Sequence, residues 1–103
     1  MTATNPPQAN KSAAKVFAVL DVLLRNFFHG YTPSELAAET HYSASDITRY
    51  VHTLVSAGYA ERIQETGRIR PSIKFAQSAM QILHAVEAAE HQVNQLKQRI
   101  NRN

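Results

Sequence analysis

The feature that most restricts how this chain can fold is an apolar repeat in its last third. Apolar residues recur there at alternating intervals of four and three positions: Phe75, Ala79, Ile82, Val86, Ala89, Val93, Leu96 and Ile100. This spacing lines one face of an α-helix, and residues 72–103 contain no glycine or proline that would interrupt it. Over about 39 Å, at roughly 1.5 Å per residue, the face is longer than a small domain can cover with its own surface. The repeat therefore predicts one long helix that pairs with a second copy as a coiled coil.

The predicted dimer contacts are the apolar residues in the later part of this repeat. They are Ile82, Val86, Ala89, Val93, Leu96 and Ile100. β-Branched residues hold one core position and Ile82 and Leu96 the other, which favours a parallel pair, although the flanking charges leave both orientations open. The first two turns, with Phe75, Met80 and Leu83, are expected to pack on the preceding domain instead.

The start of the chain divides into a polar segment and a helix. Residues 1–11 contain Pro6 and Pro7 and show no periodicity, which predicts a disordered leader. Apolar residues then recur at helical spacing: Ala13, Val16, Phe17, Leu20, Leu23, Leu24 and Phe27. We predict an amphipathic first helix with Ser12 as its N-cap and Gly30 as its C-terminal stop.

A second, short helix is predicted from a start signal of its own. Thr32 and Glu35 have the spacing of a capping box, in which the hydroxyl and the carboxylate each accept a bond from the other residue's amide, and Pro33 occupies the first helical position. This helix is predicted from about Pro33 to Thr40. Residues 41–43 then form a tight turn.

The third helix begins after Ser43, which can cap it, and ends before Gly58. Asp46 places a negative charge in its first turn, where the helix dipole favours one. One face is apolar: Ile47, Tyr50, Val51, Leu54 and Val55. The opposite face is small or polar: Ala44, Ser45, Thr48, Arg49, His52 and Ser56. Two helices joined by so short a turn form a helix-turn-helix.

Alternating apolar and polar residues follow at 59–63 and 68–70, with a turn at 65–67, which predicts a β-hairpin with a basic second strand. Three helices and a hairpin in this order predict a winged helix-turn-helix. The expected fold is mainly α: a winged helix-turn-helix domain with a two-stranded β wing at 12–74, followed by a coiled-coil dimerisation helix at 75–103.

Three segments of this domain resemble the N-terminal domain of IclR-type transcriptional regulators. They are residues 34–37 (SELA), 45–54 (SDITRYVHTL) and 57–62 (AGYAER). The resemblance extends from about Ser12 to Phe75 and implies a DNA-binding winged helix-turn-helix that dimerises. The chain departs from the family in having a single heptad helix where an effector-binding domain usually follows, and in having Asp46 where threonine is common.

Residues on the exposed face of the third helix are the main candidates for DNA contact. Arg49 is the first of these, because arginine can donate two parallel hydrogen bonds to guanine O6 and N7. The alternative is that Arg49 is solvated and pairs with Asp46 three residues earlier. We interpret Asp46 itself as a structural residue. The other candidates on this face are Ser43, Ser45, Thr48 and His52, of which Ser43 is better explained as a cap.

The hairpin supplies the second group of candidate contacts. The hairpin carries the basic residues Arg62, Arg68 and Arg70, and Lys74 follows just beyond it. They can neutralise phosphates of the DNA backbone. The alternative is that they protect an edge hairpin from aggregation.

Composition excludes several other classes of function. The chain has no cysteine, so it offers no disulfide, thiolate metal site or cysteine nucleophile. No phosphate-binding glycine loop or catalytic set is present, and no signal peptide or membrane span is recognised. We therefore expect a cytoplasmic protein that is no enzyme, without cofactor, metal or small-molecule ligand. With 103 residues, a separate sensor domain is not expected.

The function predicted from the sequence is that of a homodimeric, sequence-specific transcriptional regulator that binds double-stranded DNA at an inverted repeat. Its size is typical of minimal regulators of phage or mobile elements. The alternative is a winged-helix module for protein interaction or DNA organisation, whose C-terminal helix docks a partner protein.

Overall fold

A computed structural model describes residues 7–102 of the chain. Its elements, in chain order, are α1 (Lys11–Leu23), a 3-10 turn (Leu24–Asn26), α2 (Pro33–Thr40), α3 (Ala44–Ser56), β1 (Ala60–Arg62), β2 (Ile69–Pro71) and α4 (Ile73–Asn101). The two strands pair in an antiparallel sheet. The predicted fold class, a winged helix-turn-helix followed by a long helix, is confirmed. The chain divides into two compact units, with the boundary between Ser72 and Ile73.

Both ends of α1 differ from the prediction: the helix starts two residues earlier, so that Lys11 of the predicted leader belongs to it, and it ends at Leu23, before a 3-10 turn, instead of continuing to Gly30. The side chain of Asn10, and not that of Ser12, is the N-cap, and it accepts a hydrogen bond of 3.0 Å from the amide of Ala13. Asparagine caps at least as well as serine, so the earlier start needs no other cause. Residues 1–6 of the predicted leader lie outside the described residues, whereas residues 7–10 are exposed and have no regular secondary structure.

The core of the first unit lies where α1, α2 and α3 pack together and β2 contacts α1. Its buried apolar residues are Val19, Leu20, Val22, Leu23, Leu36, Ile47, Tyr50, Val51, Leu54, Ala60 and Ile69. The predicted apolar face of α3 is buried except for Val55, which is 37% exposed.

The buried face of α1 agrees with the prediction only in part, since Leu20 and Leu23 are buried as predicted. Val19 and Val22, which the apolar stripe did not include, are buried, whereas Phe17 is 63% exposed and Leu24 47% exposed. The physical reason is that α2, α3 and β2 all contact α1, so its buried residues are concentrated in the last two turns of the helix. Phe17 remains on the surface, beside an apolar groove that α3 and Tyr59 help to line.

The caps of the helix-turn-helix form as predicted. In α2 the Thr32 hydroxyl accepts from the Glu35 amide at 3.1 Å, and the Glu35 carboxylate accepts from the Thr32 amide at 2.8 Å. The amide of His41, in the left-handed conformation at φ 61°, closes α2. Ser43 then caps α3 by accepting from the Asp46 amide at 3.1 Å.

The hairpin, which forms the wing, is attached to the helices at two points. Tyr31 and Ile69 exchange two backbone hydrogen bonds of 2.8 Å, which extend the pairing of β2 to the segment before α2. At the other end, the Ser72 hydroxyl donates to the Gly58 carbonyl at 2.6 Å and its amide donates to Tyr59 at 2.9 Å. The wing therefore has a defined position on the three helices.

The second unit is α4, a single helix of 29 residues. Among its described residues none is buried. The exposed apolar residues of the repeat are Ala79, Ile82, Val86, Ala89, Val93, Leu96 and Ile100. Met80 and Leu83 are 47% and 48% exposed, and their expected packing on the preceding domain stays a prediction. The helix that the repeat predicts is present, and its apolar face is uncovered in the single chain.

Candidate nucleic-acid interface

The exposed face of α3 carries the five residues that the sequence selected there. They are Ser43, Ser45, Thr48, Arg49 and His52, and all are exposed. Because the opposite face is buried in the core, this face can only point outwards. The Thr48 hydroxyl donates to the Ala44 carbonyl at 3.0 Å, which leaves its oxygen lone pairs for an outside donor.

Ser43 and His52 have local partners on this face. The Ser43 oxygen caps the helix and lies 3.3 Å from the Ser45 hydroxyl, and the His52 ring nitrogen lies 3.5 Å from the Ser56 hydroxyl. Capping is therefore the observed role of Ser43, as the sequence indicated. Ser45 and His52 keep donor and acceptor capacity towards solvent.

The guanidinium of Arg49 contacts two neighbours while the side chain stays 66% exposed. Its terminal nitrogen donates to the Asp46 carboxylate at 2.9 Å, and its guanidinium carbon lies 5.4 Å from the centre of the Tyr50 ring. The hydrogen bond and charge of Asp46 raise the pKa of Arg49, and the same bond lowers the pKa of Asp46. Both groups are consequently charged at neutral pH.

Lys15 and Tyr42 adjoin this face, and the sequence did not select them. The Lys15 ammonium lies 5.6 Å from the centre of the Tyr42 ring, which meets the Tyr50 ring edge-on at 5.9 Å. The charge of Lys15 also contributes to lowering the pKa of Asp46. A cation from α1 therefore lies near the N-terminus of α3. No local pattern signals this, because the contact depends on how α1 packs.

The wing cations are not equivalent. Arg68 donates to the carbonyls of His29 and Gly30 at 3.1 Å and 3.0 Å and forms a 2.7 Å ion pair with Glu35. Arg70 donates twice to Glu61, at 3.1 Å and 2.9 Å. Both side chains stabilise the attachment or the surface of the wing, a role that sequence spacing did not reveal.

Arg62 and Lys74 have more freedom. Arg62 lies at the end of β1, is exposed, and forms no ion pair with the described residues. Lys74 is exposed in the first turn of α4 and belongs to the second unit. Of the three arginines in the wing, Arg62 is thus the one whose charge is directed to solvent alone.

Replacing Arg68 with alanine should destabilise the domain. The change removes the two hydrogen bonds to the His29 and Gly30 carbonyls, for which about 1–2 kcal/mol is expected, while the exposed pair with Glu35 adds little. The Tm should fall by about 5 °C or more in thermal denaturation at one protein concentration. Arg62→Ala is the matched control and should leave the Tm unchanged. Equal Tm values for the two variants would contradict a structural role for Arg68.

Within residues 7–102, no three histidine or carboxylate side chains come close enough together to hold a metal ion. The helices of the same region all fall short of the combined length and apolarity that a membrane span requires.

Comparison with known families gives one match. The model of the IclR helix-turn-helix domain matches residues 12–64, just over half of the 103-residue chain. The matched region includes α1 from Ser12 onwards and all of α2, α3 and β1. No curated protein and no solved structure matches the chain.

Proposed function

The chain belongs to the IclR helix-turn-helix family, and from this membership we propose that it is a sequence-specific transcriptional regulator that binds double-stranded DNA as a homodimer. The IclR helix-turn-helix is a DNA-binding regulatory domain rather than a catalytic one. The observation that carries the proposal is the outward face of α3, on which Arg49 is exposed together with Ser45, Thr48 and His52. The protein would act in the cytoplasm, where its DNA is found.

In the proposed complex α3 lies in the major groove. Arg49 reads a guanine, and Ser45, Thr48 and His52 contact base edges or phosphates. Arg62 on the wing and Lys15 on α1 neutralise phosphates beside the groove, because both cations are exposed. Arg68 and Arg70 hold the wing in shape, and their positive charge adds to the attraction for the backbone. Lys74 is a further phosphate contact.

The dimer in this proposal is formed by α4. Five large side chains of its repeat are between 49% and 71% exposed in the single chain, so the helix has an apolar face without a cover. The simplest cover for this apolar face is the same face of a second copy of the chain. Two copies related by a two-fold axis place two α3 helices in successive major grooves, so the site should be an inverted repeat with half-sites about one or two helical turns apart.

Binding to random duplex DNA tests the DNA-binding proposal directly. Fluorescence anisotropy of a labelled duplex at two or more salt concentrations should show affinity that falls steeply as salt rises. Arg62→Ala should lower affinity for all sequences alike and reduce the slope of log affinity against log salt by about 1. The matched control is Arg25→Ala, since Arg25 is also exposed but lies near Glu39.

The outcomes separate the two functional classes. Salt-dependent binding with a lower slope for Arg62→Ala supports a wing–phosphate contact. No binding by the wild type even at low salt would contradict the proposal and favour a protein-interaction module that uses the apolar face of α4 to dock a partner protein. An equal change in slope for Arg25→Ala would remove the specific role of Arg62.

A further inference from the structure

The N-termini of α2 and α3 have the same sequence layout but use it differently. Each begins with a hydroxyl residue as N-cap and has an acidic residue three positions later. In α2 the carboxylate of Glu35 accepts from the amide of the cap residue, Thr32, at 2.8 Å. In α3 the carboxylate of Asp46 accepts from the guanidinium of Arg49 at 2.9 Å. The acidic residue of α3 is thus used to hold a side chain on the exposed face.

The contact restricts Arg49 without consuming its hydrogen-bonding capacity. A guanidinium has five N–H donors, and the bond to Asp46 uses one of them. The ring of Tyr50, itself only 4% exposed, lies beside the guanidinium and limits its position from another side. An arginine side chain without such contacts loses much of its conformational entropy when it binds DNA. Arg49 is already restricted by its two neighbours, so it loses less entropy on binding.

We propose that Asp46 is a positioning residue for sequence readout, which holds Arg49 so that the remaining edge of its guanidinium meets guanine O6 and N7 in one orientation. This inference rests on the DNA-binding function proposed above and deepens it. A base that does not present two acceptors in the major groove cannot accept both hydrogen bonds from an arginine held in this orientation. The contact therefore favours guanine over the other bases.

The charge of Asp46 acts in the same direction. Arg49, Ser43 and Lys15 all lower the pKa of this carboxyl, so it is ionised at neutral pH. An ionised carboxylate near the groove repels phosphates, which weakens binding to every sequence. Only a site that engages Arg49 compensates for this repulsion. Asp46 therefore raises the ratio of specific to random affinity both by orienting Arg49 and by weakening random binding.

The test begins with an operator selected by the wild-type full chain from a random duplex library. Affinities are then measured for that operator and for each of its single-base-pair variants. Arg49→Ala should abolish discrimination at one base pair, a loss of about 5- to 150-fold. Asp46→Asn should reduce discrimination at the same base pair by about 3-fold or more, while its affinity for random duplex stays equal or rises. Discrimination at the other base pairs should not change.

Glu35→Gln is the matched control, because it removes an equivalent acidic residue from the first turn of the other helix. It should lower the Tm and leave discrimination at every base pair unchanged. If Asp46→Asn is poorly folded by circular dichroism, Asp46→Ser also removes the charge and is measured instead. A variant that weakens binding to all sequences in the same proportion, or that leaves discrimination at the Arg49 base pair intact, would overturn the proposal.

The two proposals fail in different ways. If the wild type shows no salt-dependent binding to any duplex, the DNA-binding function itself is wrong. If the wild type selects an operator and Arg49→Ala loses one base preference, but Asp46→Asn keeps it, the function stands and the positioning role of Asp46 is wrong.

Discussion

Val93→Asp is expected to convert the protein from a dimer to a monomer and to lower its affinity for a two-half-site operator by about 100-fold or more. Val93 lies at the middle of the exposed apolar face of α4 and is 50% exposed in the single chain. In a pair of helices of either orientation, each aspartate would be buried on the apolar seam without a partner charge, which is strongly unfavourable. The monomer tolerates the change because this position is not part of its core. Light scattering gives the mass, and anisotropy gives the affinity.

Gln95→Asp supplies the matched control for this prediction. It adds the same charge two residues away, where the helical period of 3.6 puts it on the opposite face of α4. It should leave the mass and operator affinity unchanged. Val93→Asp should also keep its binding to short random duplexes, because the first unit does not contain the substituted residue. An unchanged mass for Val93→Asp would remove the dimer proposal.

Gly30→Ala is expected to destabilise the first unit by about 2–5 kcal/mol, the largest effect of a single methyl group that we expect in this chain. The backbone of Gly30 has φ +71°, which costs any residue with a Cβ. A Cβ there would also lie 2.3 Å from the carbonyl oxygen of Ile69. That oxygen accepts the 2.8 Å bond from Tyr31, so the wing cannot move away without breaking its attachment.

Gly67→Ala separates the cost of the left-handed backbone from the cost of the steric overlap with Ile69. Gly67 has nearly the same φ, +72°, but apart from Gly67 itself and its two chain neighbours no residue has an atom within 4 Å of the Cβ it would acquire. Its substitution should cost only the backbone strain, about 1–2 kcal/mol. Chemical denaturation of both variants gives the free energies of unfolding. If Gly30→Ala costs no more than Gly67→Ala, the close approach between Gly30 and Ile69 is not a feature of the folded protein.

The helix-turn-helix was the most predictable part of the fold. The predicted capping box at Thr32 and Glu35 and the cap at Ser43 both form, and α2 has the predicted ends. These signals are readable because each depends on hydrogen bonds between residues three positions apart. The exposure of Arg49 follows from the same helix period that buries Tyr50 and Val51 on the other face.

The predictions that failed, or that were incomplete, concern contacts between distant segments. Phe17 fits the apolar stripe of α1 and is exposed, while Val19 is buried. Arg68 has the position of a DNA-contacting wing residue, yet it donates to two carbonyls in the segment before α2. Lys15 looks like an ordinary surface charge and lies beside the Tyr42 ring near the start of α3. Spacing along the chain contains no information about these partners.

The sequence by itself therefore determined where α2 and α3 begin and end, the order of helices and wing, and the apolar repeat of α4, because caps, turns and helical periods are set within a few residues. Only the tertiary structure decided which arc of α1 is buried, which wing cation is exposed, and that Lys15 lies beside the Tyr42 ring near the start of α3. Those outcomes depend on which groups compete for the same donor or the same surface once the chain has packed, and that competition is settled in three dimensions.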